Sequence, residues 1–296
     1  MTKHFFTLSD DRRLCYAQVG PVAGTPVLYF HGTPSSRLEV LLPQEYGLDL
    51  PAVLEQLHLR LLVVDRPGLG GSDFNPQGTF TSFAHDLRQL LQHLHISTCH
   101  LLCWSGGGPF GLTMAYLYPT VIKTVFILCG FTRPLDREVM RQMGTNKWYF
   151  RAARTVPPLA KLALRLACRH QQGLSVPRRL VGLPPVDYDL IRDRQRFRKF
   201  SALTLREACS QGARGAVYEA ALYFRELGFE LSDIVQPVHY WWGTEDCSVI
   251  RAHAAAAEQQ IFDCTMHYKE GEGHFSLYLR YFREVLDAIA AAGPVE

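Results

Sequence analysis

Short apolar segments bounded by glycine and proline recur towards both ends of the chain. Residues 26–30, 61–64 and 100–103 are apolar at almost every position, and each run is followed by a glycine-containing turn. A strand with both faces buried shows this pattern, because neither face meets water. Together with more polar segments, eight strands are predicted, at residues 4–8, 12–19, 26–30, 61–64, 100–103, 121–129, 238–242 and 265–268.

Apolar residues between these strands recur at the spacing of a helix. Leu87, Leu90, Leu91 and Leu94 fall on one face of residues 84–94. Further helices are predicted at residues 111–118, 250–260 and 275–291. Because strands that alternate with helices join through right-handed crossovers, we predict an α/β protein. Its central sheet should be mostly parallel, contain about eight strands and be flanked by helices.

The alternation of strands and helices is interrupted in the middle of the chain, where helical patterns occur without a clear strand. We therefore predict a first part of an α/β core at residues 1–131, an inserted helical cap at residues 132–231 and a second part of the core at residues 232–296. An insertion at this place would cover the carboxyl ends of the strands, where sheets of this class place their sites.

The predicted cap contains one clear apolar stripe, formed by Leu159, Leu162 and Leu166. If these leucines face the sheet, Leu162 and Leu166 would line a substrate pocket. The alternative is that they only pack the cap onto the core.

Composition and charge narrow the class of protein. Hydrophobic residues make up 47% of the 296 residues and charged residues 20%, which is typical of a globular protein. The net charge of +3 gives no reason to expect a nucleic-acid partner. Residues 151–200, however, hold twelve cationic side chains and three acids. Such a run usually marks a solvated helix face, and recruitment of an anionic substrate or a membrane surface is the main alternative. Nucleic acid is the last alternative, because no basic motif interleaved with aromatic residues supports it.

The eight cysteines are scattered and include no CxxC pair, so we expect reduced core residues and no metal site. The first residues become polar after a few positions and no apolar run is long enough to cross a bilayer. These features predict a cytoplasmic protein without an integral membrane segment. A homodimer is left open.

Ser105 lies where a predicted strand meets a predicted helix, in the segment Cys103-Trp104-Ser105-Gly106-Gly107. This segment resembles the nucleophile elbow of the α/β-hydrolase family, usually written G-x-S-x-G. The turn is tight, so the residues two before and two after the serine must be small. Gly107 meets this demand, whereas Cys103 departs from the usual glycine and could tilt the following helix.

A serine needs a base within hydrogen-bond reach to become a good nucleophile. The family order is serine, acid and histidine, and the resemblance places the acid at Asp246 and the histidine at His274, each after a predicted strand. Asp246 matches the pattern better than its neighbour Glu245. Asp246 could alternatively cap the helix that follows it. The other acid position known in the family holds Gly130-Phe131-Thr132 and offers no competitor.

The resemblance also implies an oxyanion hole, in which two backbone N–H groups face the developing charge. Gly106 would supply one and Thr33, in the segment His31-Gly32-Thr33-Pro34, the other. Trp104, beside the serine, is expected either to touch substrate or to pack in the core.

Residues 31–37, 65–73 and 105–109 resemble one branch of the family, the capped hydrolases related to bacterial esterases and epoxide hydrolases. Epoxide hydrolases and haloalkane dehalogenases use aspartate at the elbow, so Ser105 argues against both activities. The resemblance implies a cofactor-free serine hydrolase acting on a small-molecule carboxylic ester, thioester or lactone. Hydrolysis of C–C bonds or amides, a perhydrolase or lyase reaction, and a non-catalytic ligand-binding role remain alternatives on the same fold.

Overall fold

The computed structural model describes residues 1–169 and 182–295. Its strands are β1 (His4–Thr7), β2 (Arg13–Val19), β3 (Thr25–Phe30), β4 (Leu59–Val64), β5 (Cys99–Trp104), β6 (Ile122–Leu128), β7 (Val238–Gly243) and β8 (Cys264–Lys269). They form one sheet in the order β1-β2-β4-β3-β5-β6-β7-β8. Only β2 runs against the others, since it pairs antiparallel with both β1 and β4. The predicted eight-stranded, mostly parallel sheet is confirmed.

Helices lie between successive strands from β3 onwards and after β8, and most of them lie between β6 and β7. They are α1 (Leu50–Gln56), α2 (Phe80–His93), α3 (Gly108–Leu117), α4 (Arg137–Gln142), α5 (Lys147–Thr155), α6 (Pro157–Arg169), α7 (Pro185–Ile191), α8 (Arg194–Ser201), α9 (Arg214–Leu222), α10 (Arg251–Gln260) and α11 (His274–Ala291). Tighter 3-10 helices cover Arg37–Tyr46, Ser105–Gly107 and Leu231–Asp233, and Ala202–Arg206 is a π-helical turn.

The register of the parallel strands brings their carboxyl ends to one edge of the sheet. Phe30 of β3 pairs with Cys103 of β5, and Leu128 of β6 pairs with both Trp104 and Trp241. The strands β3, β4 and β5 are almost wholly buried, as their continuous apolar sequences predict. The segments that follow these strands therefore converge above a rigid apolar core.

Between β6 and β7 the described residues form helices and no strand. We call residues 132–231 the helical insertion. The predicted domain boundaries at its two ends stay a prediction. Part of the basic run, including Arg178 and Arg179, lies outside the described residues. None of the described helices is long and apolar enough to cross a membrane.

The structure corrects the expected orientation of the leucine stripe on α6. The side chains of Leu162 and Leu166 are 53% and 58% exposed, and neither lies on the wall of the cavity at the carboxyl edge of the sheet. Ala160 and Leu164 are the buried residues of this helix. The small side chain of the buried Ala160 lets α6 lie close to α5 and α9, and this packing leaves the larger leucines facing solvent.

Candidate active site

Ser105 occupies a sharp turn between β5 and α3. Its φ of 53° lies in the left-handed region that a side-chain-bearing residue rarely adopts. A Cβ added at Gly107 would lie 2.3 Å from the carbonyl oxygen of Phe30, so the residue two positions after the serine has to be glycine. The turn holds the Ser105 side chain at the carboxyl edge of the sheet, as the elbow motif predicts.

The unusual cysteine before the serine is accommodated by a second glycine. A Cβ at Gly111 would lie only 2.1 Å from Cys103 Sγ. The thiol therefore fills the space that a side chain on the first turn of α3 would otherwise take. The expected disturbance of the following helix is absorbed locally, and α3 runs from Gly108 to Leu117.

Ser105, His274 and Asp246 form a continuous hydrogen-bonded chain. His274 Nε2 lies 2.9 Å from Ser105 Oγ, and His274 Nδ1 lies 2.8 Å from Asp246 Oδ2. All three residues are buried. They come from three separate loops, after β5, β7 and β8, and meet because those strands end at the same edge.

Asp246 uses its two oxygens for different purposes. Oδ2 faces His274, while Oδ1 accepts hydrogen bonds from the N–H groups of Ser248 and Val249, at 2.7 and 2.8 Å. Asp246 can therefore both orient His274 and cap the segment that follows it, which are the two roles that the sequence left open. Its neighbour Glu245 is exposed to solvent.

The surroundings of His274 favour its protonated form. Burial alone would lower its pKa, but the Asp246 carboxylate outweighs burial and holds the pKa of His274 well above its ordinary value. The ring of Trp104 stacks on His274 at a centroid distance of 5.3 Å and on Tyr278 at 4.2 Å. Trp104 thus packs against the histidine and also lines the adjoining cavity.

Thr33 and Gly106 lie side by side next to Ser105. A Cβ at Gly106 would come within 2.5 Å of Thr33 Cγ2. The buried Glu39 carboxylate holds the segment that carries Thr33, because it accepts a hydrogen bond from the Gly32 N–H at 2.8 Å. Burial raises the pKa of Glu39 to about 7. A lone acid inside the apolar sequence 38–42 is a signal that sequence reasoning could have used.

A buried ion pair ties this same loop to the helical insertion. Arg66 donates to the carbonyl oxygens of His31 and Gly32, and its Nε lies 2.6 Å from Glu219 Oε2 in α9. Tyr223 donates to the carbonyl oxygen of Gly106 at 2.9 Å. The loop next to Ser105 is therefore held by core and insertion together.

Asp187, which the sequence did not identify as a site residue, contacts the backbone at His274. It belongs to α7 of the insertion, yet its buried carboxylate accepts the backbone N–H groups of His274, Phe275 and Ser276 at 2.8, 3.0 and 2.8 Å. Burial raises the pKa of this carboxyl. The insertion thus caps the helix that begins with His274. No local pattern around Asp187 announces this contact, which spans 87 residues of sequence.

A mostly apolar cavity of about 610 Å³ opens beside Ser105 and His274. Thr33, Trp104 and Phe275 line it from the core. The insertion supplies Trp148, Phe150, Ala160, Ala163, Leu164, Ala167 and Phe200. The volume and the apolar lining suit a small organic ligand whose polar group reaches the serine.

Among the described residues, one cluster holds three potential metal ligands: Cys129, Asp246 and His274. Asp246 and His274 already bond to each other. Burial raises the pKa of the Cys129 thiol to about 11, so this sulfur is protonated near neutral pH. The chemistry of the donors therefore favours the hydrogen-bonded chain over a metal centre.

A family model for the alpha/beta hydrolase fold matches residues 25–281, most of the chain. The chain belongs to the alpha/beta hydrolase fold family. The match includes the segments that carry Thr33, Ser105, Asp246 and His274, which agrees with the resemblance drawn from the motifs.

Similar proteins of this family include hydrolases and esterases. An uncharacterised hydrolase of Bacillus subtilis is 28% identical over 151 residues, 48% of this chain and 50% of that protein. The chain spans about half the length, or less, of the curated relatives it matches first. A carboxylesterase structure from Nitrososphaera gargenis has a TM-score of 0.73 at 16% identity, covering 98% of each chain. An esterase from a Rhodococcus species has a TM-score of 0.67 at 23% identity, covering 99% of this chain and all of that one. At these identities the structures share the fold.

Proposed function

We propose that this protein is a serine hydrolase that cleaves a carboxylic ester or a related acyl substrate through an acyl-enzyme. The observation that carries the proposal is the chain of 2.9 and 2.8 Å hydrogen bonds from Ser105 through His274 to Asp246. The hydrolase and esterase names of its relatives support the reaction class. Residues 132–231 would act as the cap over this site.

His274 Nε2 lies close enough to Ser105 Oγ to take its proton as the oxygen attacks the substrate carbonyl carbon. The carbonyl π electrons move to the carbonyl oxygen, and the N–H groups of Gly106 and Thr33 stabilise that charge. Collapse of the intermediate expels the alcohol, which receives its proton from His274. Water, deprotonated by His274, then attacks the acyl-enzyme carbonyl carbon. The bond to Ser105 Oγ breaks, the acid leaves, and Oγ takes its proton back from His274.

Asp246 keeps the imidazole in the tautomer with its proton on Nδ1 and stabilises the imidazolium that forms. The raised pKa of His274 fits this role, because a base must gain affinity for the proton as the bond to Oγ forms. The apolar cavity would hold the acyl group, with Leu164 and the alanines of α6 along one side. These steps require no metal and no organic cofactor.

A fluorophosphonate probe with a reporter group tests the proposal directly, because it phosphorylates an activated serine. The wild-type chain should be labelled and should turn over a simple aryl ester. Ser105→Ala should lose the label, and its turnover should fall about 10⁴- to 10⁶-fold. An unlabelled wild type would favour a non-catalytic ligand-binding role, and an active Ser105→Ala variant would contradict the assignment. A panel of esters, thioesters, lactones, amides and diketones then ranks the competing reactions.

A further inference from the structure

Helix α6 separates the catalytic cavity from solvent. Its Ala160 and Leu164 are buried and line the cavity. Ala163 and Ala167 also line the cavity but are exposed, so they mark its opening. The outer surface of α6 is therefore continuous with the entrance to the site.

Three leucines cover this outer surface. Leu159, Leu162 and Leu166 are 61%, 53% and 58% exposed. At about 100° per residue they fall within roughly 60° of one another, directly beside the angular position of Ala163. Large apolar side chains grouped on one exposed face usually mark an interaction site, whereas single ones need no explanation.

A basic cleft borders the catalytic cavity and shares Trp148 with it. It has a volume of about 700 Å³. Its cationic side chains are Arg137, Arg141, Lys147, Arg151 and Arg154. None of these cations forms an ion pair with a carboxylate in the part of the chain that the structure describes. Among the described residues, Asp136 is the one acid that lines the cleft, and it is bound to Arg133 at 2.6 Å.

Trp148 links the basic cleft to the catalytic cavity. Its side chain is 59% exposed, and it lines both the basic cleft and the catalytic cavity. The charged groups of Lys147 and Arg151 lie about 6.0 and 5.9 Å from its ring centroid. An indole flanked by cations is suited to the boundary between lipid headgroups and acyl chains.

We propose that the leucine stripe, Trp148 and the five cations of the cleft form a docking surface for an anionic phospholipid bilayer. The leucines and the indole enter the acyl boundary while the cations bind phosphate and acidic headgroups. Self-association through this face would bring the same cations of two copies together, so the charge favours a lipid partner. Docking places the mouth of the cavity at the membrane surface. If the proposed esterase activity holds, substrates dissolved in the bilayer have direct access to Ser105.

Vesicle flotation of the full chain tests this docking without reference to turnover. The protein should bind vesicles of phosphatidylcholine mixed with phosphatidylglycerol, bind pure phosphatidylcholine much less, and detach as salt is raised. Replacing both Leu162 and Leu166 by serine should lower partitioning at least about tenfold. Arg151→Gln and Arg154→Gln should each lower it about fivefold.

Matched controls come from the opposite edge of the sheet. Phe262, which is 98% exposed, and the exposed Lys123 lie near the amino ends of β8 and β6. Phe262→Ser and Lys123→Gln change the same properties and should bind vesicles like the wild type. Melting temperatures of all variants check folding.

Several outcomes would overturn the docking surface. These are absence of binding to the anionic vesicles, equal losses in the control variants, and binding that the leucine and arginine substitutions do not change. The docking surface would also be overturned if the protein does not bind vesicles and instead forms a dimer that the leucine substitutions dissociate. Ser105→Ala should bind as the wild type does, so a failure of docking is distinguishable from a failure of the proposed chemistry.

Discussion

The α/β core and the helical insertion handle apolar residues in opposite ways. In the core, the strands β3, β4 and β5 bury nearly every side chain, and the leucines of α2 at positions 87, 90 and 91 are buried. In the insertion, the most regular leucine stripe faces solvent, and the inner face of α6 carries alanines and Leu164. The same helical period therefore marks the buried face in one region and the exposed face in the other.

The difference arises from what each helix packs against. A helix that covers a sheet meets a broad, continuous apolar surface, so its largest apolar residues turn inward. A helix of the insertion packs on other helices and borders a cavity, where small residues allow close approach. Positive charge is also concentrated in one of the two regions. The basic run lies in the insertion, whereas the chain as a whole has a net charge of only +3.

If catalysis resides in the core loops, the largest loss after the serine substitution should come from Asp246. Asp246→Asn keeps the hydrogen bonds of the following turn possible but removes the charge facing His274. The value of kcat/KM should fall roughly 10⁴-fold while the melting temperature changes little. Glu245→Gln is the matched control, since Glu245 is adjacent and exposed. A larger loss in Glu245→Gln than in Asp246→Asn would show that the acid has been assigned to the wrong residue.

The pH profile should show an acid limb set by His274. The base must be neutral, and its raised pKa keeps it protonated to higher pH than an ordinary histidine. The value of kcat/KM should therefore fall about tenfold per unit below a midpoint that lies above the usual value of about 6.5. Asp246→Asn should move the residual activity's midpoint down, because the stabilising charge is gone. A flat profile from pH 5 to 8, with a substrate whose chemistry is slow, would exclude a histidine base.

Asp187 tests whether the two regions are independent. Asp187→Asn retains one acceptor oxygen for three N–H groups, so the start of α11 should shift. We expect a 10- to 100-fold loss of kcat/KM from displacement of His274 and a loss of about 1–3 kcal/mol in the free energy of unfolding. Asp189→Asn, on the same helix with an exposed carboxylate, makes the same charge change and should have little effect. Equal activity of the two variants would show that the contact does not position His274.

The smallest expected effect on activity separates the two faces of α6. Leu164→Ala enlarges the cavity and should change the ratio of rates between short and long acyl esters about tenfold. It should also cost about 2–5 kcal/mol of stability. Leu162→Ala removes the same atoms from the solvent side and should leave both the chain-length profile of soluble esters and the melting temperature near wild type. A changed profile in Leu162→Ala would return this leucine to the pocket wall.

The fold, and the positions of the three residues that meet at the carboxyl edge of the sheet, can be read from the sequence because both depend on local constraints. A strained turn admits only small neighbours, so Ser105 is recognisable from Gly107, and strand ends announce where Asp246 and His274 emerge. Contacts between regions have no such local signature. The orientation of Leu162 depends on which neighbours α6 finds, and the contact of Asp187 with α11 depends on a fold of the insertion that no period specifies.

The bond between Asp187 and the first turn of α11 bears on how this protein could be re-engineered. A helical insertion between two strands resembles an exchangeable module, and replacing it would be an obvious way to alter the substrate pocket. Here the insertion also terminates the helix that carries the proposed base. A transplanted insertion would therefore need an acceptor at the same place, and without one the new pocket would come with a misaligned histidine.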